Sequence, residues 1–350
     1  MAATGVSYDQ DALLTTTSNL YYEKGKVFDN VFESCDLLKA LRRKAKREVV
    51  GGAKIQVNTM YGHNEAGDSY DRYEQQNVAP QDGMTSAYFE WKQYGFPLSI
   101  DGLSEFQNSG PSRIQSLLGE KIEQLSMSFS ERLNKDLLDV ANYTIASETT
   151  GNGGKNILGL PAIMQKDPDG AGTLGGINQL TQTWWNNQVK DASDTSTGAT
   201  FKRELNSLYN SCSRGAGGAP DLILMDQGTY ENYIFSMQEQ MRYTSVKSAD
   251  IGFRSLMLND AECIWDSYVP DMDAGTNSTP GTPLSDGTVF MINTKFLNLV
   301  IGKGKDFAPT PFRTPVDQDA RTQLWLFYAQ LVTSNRRKQG LMHDVVVAMT

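Results

Sequence analysis

Histidine is the side chain that most often serves as a general base near neutral pH, and this sequence contains only two. His63 lies in a polar stretch, and His343 lies near the carboxyl terminus. A catalytic Ser-His-Asp or Cys-His group remains an alternative for these residues, because the members of such a group meet in space rather than along the chain. The nucleophile elbow G-x-S-x-G does not occur in the sequence. We therefore assign no catalytic residue and expect a protein that is not an enzyme.

Cysteine usage argues against a disulfide framework and a zinc site. Cys35, Cys212 and Cys263 are odd in number, widely separated and without a Cys-x-x-Cys spacing. We expect three reduced thiols that are mostly buried.

Two glycine-rich stretches and two aspartate pairs could in principle bind phosphate or a cation. The stretches at 151–156 and 302–305 lack the G-x-x-x-x-G-K-[ST] spacing, so they are interpreted as turns. Pairs of the type D-x-D occur at 167–169 and 271–273, but no calcium-loop pattern follows them. We predict neither a cofactor nor a metal ion.

A basic cluster ends the first apolar-periodic segment. Its members are Lys39, Arg42, Arg43, Lys44, Lys46 and Arg47. The favoured interpretation is a solvated helix face, with positive charge near the carboxyl end where the helix dipole stabilises it. The alternative is an arm that meets an acidic surface or DNA phosphate.

An acidic excursion follows between two strand-like stretches. AKIQVNTMYG alternates apolar and polar residues, TSAYFEWKQYGFPLSI is rich in aromatic residues, and the polar residues 62–81 separate them. From Met60 to Gly110, eight acidic residues stand against two basic ones, a net charge of −6. A long hairpin of this kind is costly for an isolated molecule, and it suits a chain that lies across a neighbour.

One long helix gives the strongest local signal. Apolar residues from Ile114 to Ile145 recur every three to five positions along one face. The pattern predicts a helix from about Pro111 to Ala146, roughly 50 Å long at 1.5 Å per residue. It lacks a sustained heptad with flanking charges, so we interpret it as a spine rather than a coiled coil.

The second half of the chain predicts a mixed α/β lobe and closing strands. A helix over Thr200–Ser213 precedes the buried strand LILM, and Asp226 caps the next helix. CIWDSYV, TVFMINTKFLNLVIG and QLWLFYAQLVTS are expected to be strands. The segment from Asp271 to Gly287 is expected to be a surface loop with nothing to pack.

Composition limits the function further. The chain has 350 residues, 39% hydrophobic and 21% charged, with a formal net charge of −9. Such a length predicts two interlocked domains or one elaborated domain, and such a charge argues against a dedicated nucleic-acid binder. The first residues do not have the pattern of a signal peptide, and no apolar run reaches bilayer length. We expect a protein of a reducing cytoplasm without a membrane span.

The order of these elements resembles the Hong Kong 97-type major capsid protein of tailed bacteriophages. The strings ILGLPAI, GTLGGINQLTQTWWNN, PDLILMDQGTYENY and QLWLFYAQLVTSNRRKQGLM are similar to those of phage capsid sequences. The likeness spans nearly the whole chain, and its weight lies in the order of the motifs. The resemblance implies an α+β capsid fold with an extended loop, a spine helix, and peripheral and axial domains.

The resemblance also implies a division of the chain. Residues 1–47 would be an amino-terminal arm, 48–102 the extended loop, 103–199 the peripheral domain with its spine helix, 200–292 the axial domain, and 293–350 closing strands that return to the peripheral domain. The candidate intersubunit contacts are Arg42, Arg43, Arg47, Asp68, Asp71, Arg72, Glu74, Glu90 and Trp91.

The implied function is a shell subunit that forms hexamers and pentamers around packaged double-stranded DNA, contacted non-specifically. Implied partners are a portal and, in some cases, scaffold or decoration proteins. The protein would be assembled in the host bacterial cytoplasm and would end in the virion capsid. Two alternatives stay open: an encapsulin-type nanocompartment shell, which shares the fold, and a cytoplasmic α/β enzyme that uses the glycine-rich turns to hold a ligand.

Overall fold

A computed structural model of the chain describes residues 35–75, 80–107, 117–144, 149–193, 198–215, 217–238, 256–280, 284 and 286–346. Most of the predicted amino-terminal arm, the predicted start of the long helix and residues 145–148 therefore lie outside the described residues.

The described chain mixes helices and strands, as the α+β prediction requires. The helices are α1 Asp36–Lys44, α2 Gly102–Gln107, α3 Leu117–Leu138, α4 Gly151–Gly154, α5 Leu160–Ile163, α6 Gly198–Ser213 and α7 Gln227–Gln238. Short 3-10 helices cover Val140–Asn142, Thr183–Trp185 and Arg336–Lys338. The strands are β1 Lys46–Val49, β2 Lys54–Met60, β3 Met84–Glu90, β4 Lys92–Asp101, β5 Tyr143–Thr144, β6 Thr149–Thr150, β7 Thr173–Leu174, β8 Ile177–Asn178, β9 Gln188–Asp191, β10 Leu222–Met225, β11 Leu256–Leu258, β12 Ala261–Trp265, β13 Asp286–Ile292, β14 Leu297–Gly302, β15 Ala308–Pro309, β16 Ala320–Thr333 and β17 Gly340–Val346.

The chain divides into two compact units. Of the described residues, the smaller contains 94–107, 117–132 and 304–327, and the larger contains the others. Helix α3 and strand β16 each begin in the smaller unit and end in the larger one.

Aromatic packing forms the core of the smaller unit. Phe129 on α3 contacts Phe96 on β4 edge-on at 5.3 Å between ring centroids, and it stacks on Phe307 at 4.6 Å. Phe327 on β16 packs against the same ring at 4.9 Å. These contacts place the helix on one face of strands β4 and β16.

The larger unit is built on a six-stranded sheet in the order β11-β12-β10-β13-β17-β9. Strand β10 is parallel to β12 and antiparallel to β13, and β17 is antiparallel to β13 and parallel to β9. All residues of β10 are buried. Helices α6 and α7 cover one face, where Phe201 and Tyr233 meet edge-on at 6.4 Å. In the same unit, β14 pairs with β1 in parallel and with the second half of β16.

The structure of the α/β lobe agrees closely with the prediction from the sequence. Helix α6 and strand β10 confirm the predicted helix over Thr200–Ser213 and the LILM strand. Asp226 caps α7 as predicted, since its Oδ2 accepts the backbone N–H of Thr229 at 3.1 Å. Trp185 is buried and donates its indole N–H to the Leu174 carbonyl at 3.1 Å, so it anchors its segment.

The predicted end of the long helix at Ala146 is wrong, because α3 ends at Leu138. The backbone N–H of Val140, which would continue the helix, donates to the Asn277 Oδ1 at 2.9 Å. Asp139 accepts the Ala141 N–H at 2.9 Å and the Asn277 side-chain amide at 2.6 Å. A local aspartate turn and a distant asparagine therefore compete successfully with the helical hydrogen bonds.

Two further expectations are corrected. The aromatic-rich stretch is two strands, β3 and β4, which are interrupted at Trp91 and pair with β2 and β16 respectively. The expected surface loop from Asp271 to Gly287 is not free of packing, because Asp271 and Met272 are buried and Asp271 bridges to Thr276.

Candidate functional site

The hairpin β2–β3 forms a two-stranded sheet of its own. Its strands pair in antiparallel register from Lys54 opposite Glu90 to Met60 opposite Met84. Residues of β2 alternate between exposed and half-buried, as the sequence pattern predicts. An isolated two-stranded hairpin is only marginally stable in water, so its inner face needs support from elsewhere.

That support comes from the turn between β7 and β8 and from the adjoining 3-10 helix. Gly175 has φ +66°, and a Cβ there would lie 3.1 Å from Ala87 and 3.3 Å from Phe89. Its carbonyl accepts the Tyr88 N–H at 3.0 Å. Tyr61 stacks on Trp184 with ring centroids 5.3 Å apart. A glycine in the left-handed region thus lets the turn approach the buried face of β3 closely.

The outer face of the hairpin is polar along most of its length, with Gln56, Asn58 and Ser86 joined by hydrogen bonds, and large apolar side chains are exposed toward its tip. Met60 and Met84, which pair across the strands, are 71% and 72% exposed, and Tyr73 in the connecting segment is 98% exposed. Tyr70 and Tyr88 are also exposed. Methionine and tyrosine side chains are enriched in protein interfaces, and a cluster of them on one projection indicates a contact surface.

Acidic residues accompany these apolar side chains in the connecting segment. Asp71 Oδ1 accepts the Arg72 N–H at 2.7 Å, and Glu74 Oε2 accepts the Asp71 N–H at 3.2 Å. Asp68 likewise accepts the Ser69 N–H at 2.8 Å. Of the predicted contact residues, Asp71, Arg72 and Glu74 are joined by these hydrogen bonds, Asp68 precedes them along the chain, and all four are exposed.

The base of the hairpin holds two more predicted contact residues. Glu90 lies 3.6 Å from the Lys54 ammonium and 3.5 Å from that of Lys92. Trp91 donates its indole N–H to the Gly52 carbonyl at 3.0 Å. Both side chains thus order the base of the hairpin within one chain.

Helix α1 and strand β1 carry the basic cluster. The apolar face of α1 is buried and its last turn contains Arg42, Arg43 and Lys44, as the favoured interpretation predicts. The Arg43 guanidinium lies 2.8 Å from the Glu262 carboxylate on β12, and Lys44 lies 3.2 Å from the same group. Part of this charge is therefore paired inside the chain, whereas Arg47 on β1 is exposed.

A buried aspartate that the sequence did not single out joins α1 to α3. Asp266 follows directly on β12 and accepts the Asn134 side-chain amide at 2.9 Å and the Leu37 N–H at 3.4 Å. Tyr268 adds a third N–H at 3.1 Å. Burial raises the pKa of the Asp266 carboxyl above its ordinary value, and these donors partly offset the shift. An aspartate inside the apolar run CIWDSYV was the available sequence signal.

Two buried cations were also missed, because they lie in a stretch that looks uniformly polar. Arg336 is fully buried and donates to the Ile163 carbonyl at 2.9 Å and the Gln179 side chain at 3.0 Å. Lys338 donates to the Arg214 carbonyl at 2.8 Å and the Gly215 carbonyl at 3.1 Å, just after α6. The segment connecting β16 and β17 is thereby fixed to the body of the larger unit.

The cysteine thiols are poorly suited to act as nucleophiles. Cys35, Cys212 and Cys263 form no disulfide with one another and are buried, as predicted, and burial raises the pKa of both Cys212 and Cys263 to about 12. Such thiols are protonated at neutral pH and poorly nucleophilic. Within the described residues, one set of carboxylates is grouped closely enough to hold a metal ion: Asp273, Asp286 and Asp344. No helix in the described part of the chain is both long and apolar enough to cross a bilayer.

Comparison with known proteins defines the fold. No protein-family profile and no curated protein sequence matches the chain. Among solved structures, a chain of the cyanophage A-1(L) capsid matches with a TM-score of 0.59 and 15% identity, over 93% of this chain and 97% of that one. The SrpI encapsulin of Synechococcus elongatus matches with a TM-score of 0.57 and 10% identity, over 97% and 96%. The capsid of the Myoviridae phage XM1 matches with a TM-score of 0.55 and 12% identity, over 93% and 97%.

These likenesses extend over nearly the full length of each pair of chains. At such low identities they show the fold and leave the function to be argued. The chain has the Hong Kong 97-type capsid fold, and the predicted fold class is confirmed.

Proposed function

We propose that this chain is the major capsid protein of a tailed bacteriophage and assembles into the icosahedral head that encloses packaged double-stranded DNA. The observation that carries the proposal is the fold, matched almost end to end by phage capsid subunits. The exposed hairpin supports it independently, because its methionine and tyrosine side chains suit burial against a second copy.

The subunit would contact its neighbours through its projecting segments. In this proposal residues 48–102 are the extended loop over a neighbour, 103–199 with 293–350 form the peripheral domain, 200–292 the axial domain, and 1–47 the arm. Arg42, Arg43, Arg47, Asp68, Asp71, Arg72, Glu74, Glu90 and Trp91 are the proposed contact residues. Repeated contacts of modest strength, closed by symmetry, would stabilise hexamers, pentamers and the shell.

Opposite charges on the arm and the hairpin support their pairing between subunits. The connecting segment of the hairpin is acidic, while Arg47 is exposed on β1. Complementary charge steers association and fixes register more than it adds affinity. A portal, a scaffold or decoration protein, assembly in the host cytoplasm and residence in the virion belong to the same proposal.

An encapsulin-type shell is the second candidate, and the SrpI match over 97% of this chain favours it. Both candidates predict closed shells, and they differ in content. Shells that enclose a host protein and no nucleic acid would support the encapsulin, whereas DNA-filled heads from infected cells would support the capsid.

The test is expression of the chain alone, followed by negative-stain microscopy and sedimentation. We expect shells, or rings of five and six subunits. Regular shells would show that no separate scaffold is needed, and aberrant shells would show that one is. A small, discrete, ligand-dependent oligomer would overturn the shell proposal and return attention to the α/β enzyme alternative.

A further inference from the structure

Three carboxylates converge where three segments of the larger unit meet. Asp273 lies in the turn closed by the Asp271–Thr276 bridge, Asp286 begins β13, and Asp344 lies near the end of β17. One oxygen from each of Asp273, Asp286 and Asp344 lies within 4.8 Å of the others. All three side chains are half-buried.

Local backbone geometry brings the three together. The β13–β17 register shifts between Gly287 and Val289, and Asp344 has φ +58° in the bulge opposite. Aspartate tolerates this left-handed conformation better than most residues. In the turn, Asp271 Oδ1 accepts the Asp273 and Ala274 N–H groups, each at 2.9 Å.

The charges around the cluster do not balance. Asp191, at the end of β9, is a fourth carboxylate close to the cluster. Lys166 hydrogen-bonds to Asp273 and is the ammonium that faces these carboxylates. Four carboxylates thus face one ammonium and the imidazole of His343.

His343 provides an independent indication that a group is missing. Its side chain is 7% exposed, and its Nδ1 lies 3.5 Å from Asp273 Oδ1, beyond a good hydrogen bond. Among the described residues this nitrogen is buried without a hydrogen-bond partner. A buried polar atom left unsatisfied destabilises the folded state in general, so its position beside the carboxylates needs a reason.

We propose that Asp273, Asp286 and Asp344 bind one hard divalent cation, Ca²⁺ or Mg²⁺, and that a water of its hydration shell is the missing hydrogen-bond partner of the His343 Nδ1. Both ions prefer carboxylate oxygens, and ligating carboxylates are commonly held by a second layer of donors. The cation joins the turn at 271–276 to β13 and β17 and thereby stabilises the lobe. Lys166 competes with it for Asp273. This site does not depend on the proposed function.

The experiment uses the purified full chain after removal of metal by chelation and dialysis. CaCl₂ and, separately, MgCl₂ are titrated by calorimetry, and thermal unfolding is followed with and without each salt. We expect saturable binding of one ion per chain and a higher Tm, because a ligand that binds the folded state stabilises it. The cation that binds more tightly in these two titrations is the ion that the site prefers.

Variants localise the site. Asp286→Asn and Asp344→Asn should each weaken binding by about tenfold or more, since each removes a charged ligand. Asp167→Asn is the matched control, because Asp167 is exposed and adjoins Lys166 but lies outside the cluster. Lys166→Met should tighten binding by removing the competing ammonium.

Either of two results would overturn the proposal. The first is no saturable binding of Ca²⁺ or Mg²⁺ to the parent chain. The second is equal affinity in the parent and in Asp286→Asn. Circular dichroism checks that each variant is folded, and if Asp344→Asn is not, Asp286→Asn and Lys166→Met decide the question.

Discussion

The hairpin β2–β3 and the six-stranded sheet show two different uses of β-structure in one chain. Strand β10 is buried along its whole length and has neighbours on both sides, whereas β2 has one neighbour and alternates between exposed and half-buried residues. Apolar side chains inside the lobe are covered by α6 and α7, while Met60, Met84 and Tyr73 face solvent. The lobe is therefore stabilised within the chain, whereas these three side chains of the hairpin and its connecting segment stay exposed in the single chain.

The largest effect should come from the core of the lobe. Phe201→Ala removes a fully buried ring that packs against Tyr233, at a helical position that suits alanine. We expect a loss of about 3–5 kcal/mol in the free energy of unfolding, measured by urea denaturation. Tyr73→Ala on the hairpin is the control and should change it by less than about 0.5 kcal/mol. Similar losses in the two variants would contradict the contrast between the regions.

A smaller effect should follow from cutting the link between α3 and Asp266. Asn134→Ala removes the side-chain amide that donates to the buried carboxylate at 2.9 Å and 3.1 Å. Hydrogen bonds to charged groups contribute about 1.5–3 kcal/mol, so a loss of that size is expected at neutral pH. The same urea experiment measures it. An unchanged midpoint would show that water replaces the amide at no cost.

The deficit of Asn134→Ala should also depend on pH. The pKa of Asp266 is raised in the folded chain, so its charged form carries a penalty that is present above the folded pKa and relieved as pH falls through it. Loss of the amide donor matters most for the charged carboxylate and least for the neutral acid. We expect the stability difference between variant and parent to shrink as the pH is lowered from neutral. A difference that stays constant or grows would indicate that Asp266 is already protonated at neutral pH.

The smallest effect on stability should be paired with a large effect on assembly. Met60→Ser with Met84→Ser removes a cross-strand pair that is exposed in the single chain. The free energy of unfolding should change by no more than about 0.5 kcal/mol per site, while shells or rings should form poorly by microscopy. Val316→Ser, at a fully exposed position in the smaller unit, is the matched control. Normal shells from the double variant would remove this face of the hairpin from the proposed contacts.

Local sequence signals were sufficient to predict the main elements of the α/β lobe. Helix α6, strand β10 and the Asp226 cap follow from periodicity and capping chemistry, which act over a few residues. The end of α3 could not be predicted, because Asn277, far along the chain, accepts the Val140 N–H. The strand β1 has four exposed residues and therefore no alternation to detect.

The candidate sites also divide into those that local sequence reveals and those that depend on residues far apart in the chain. The acidic excursion and the basic cluster could be found by counting charges, and the structure places them on the hairpin and on α1 with β1. Which of these residues contact another subunit stays a prediction. The carboxylates of Asp273, Asp286 and Asp344 come from three separate segments, and a bulge in β17 brings the last one into place. Pairs of the type D-x-D could not reveal that arrangement.

The burial of every cysteine has a practical consequence for following this chain in experiments. Cys35, Cys212 and Cys263 are all buried, and the pKa of Cys212 and Cys263 is raised to about 12, so thiol-directed reagents should leave the folded protein largely unmodified. A single Tyr73→Cys substitution would then place the only readily labelled sulfur on the hairpin. A fluorophore or a gold particle attached there would report the position of that projection in free and assembled subunits without prior removal of native cysteines.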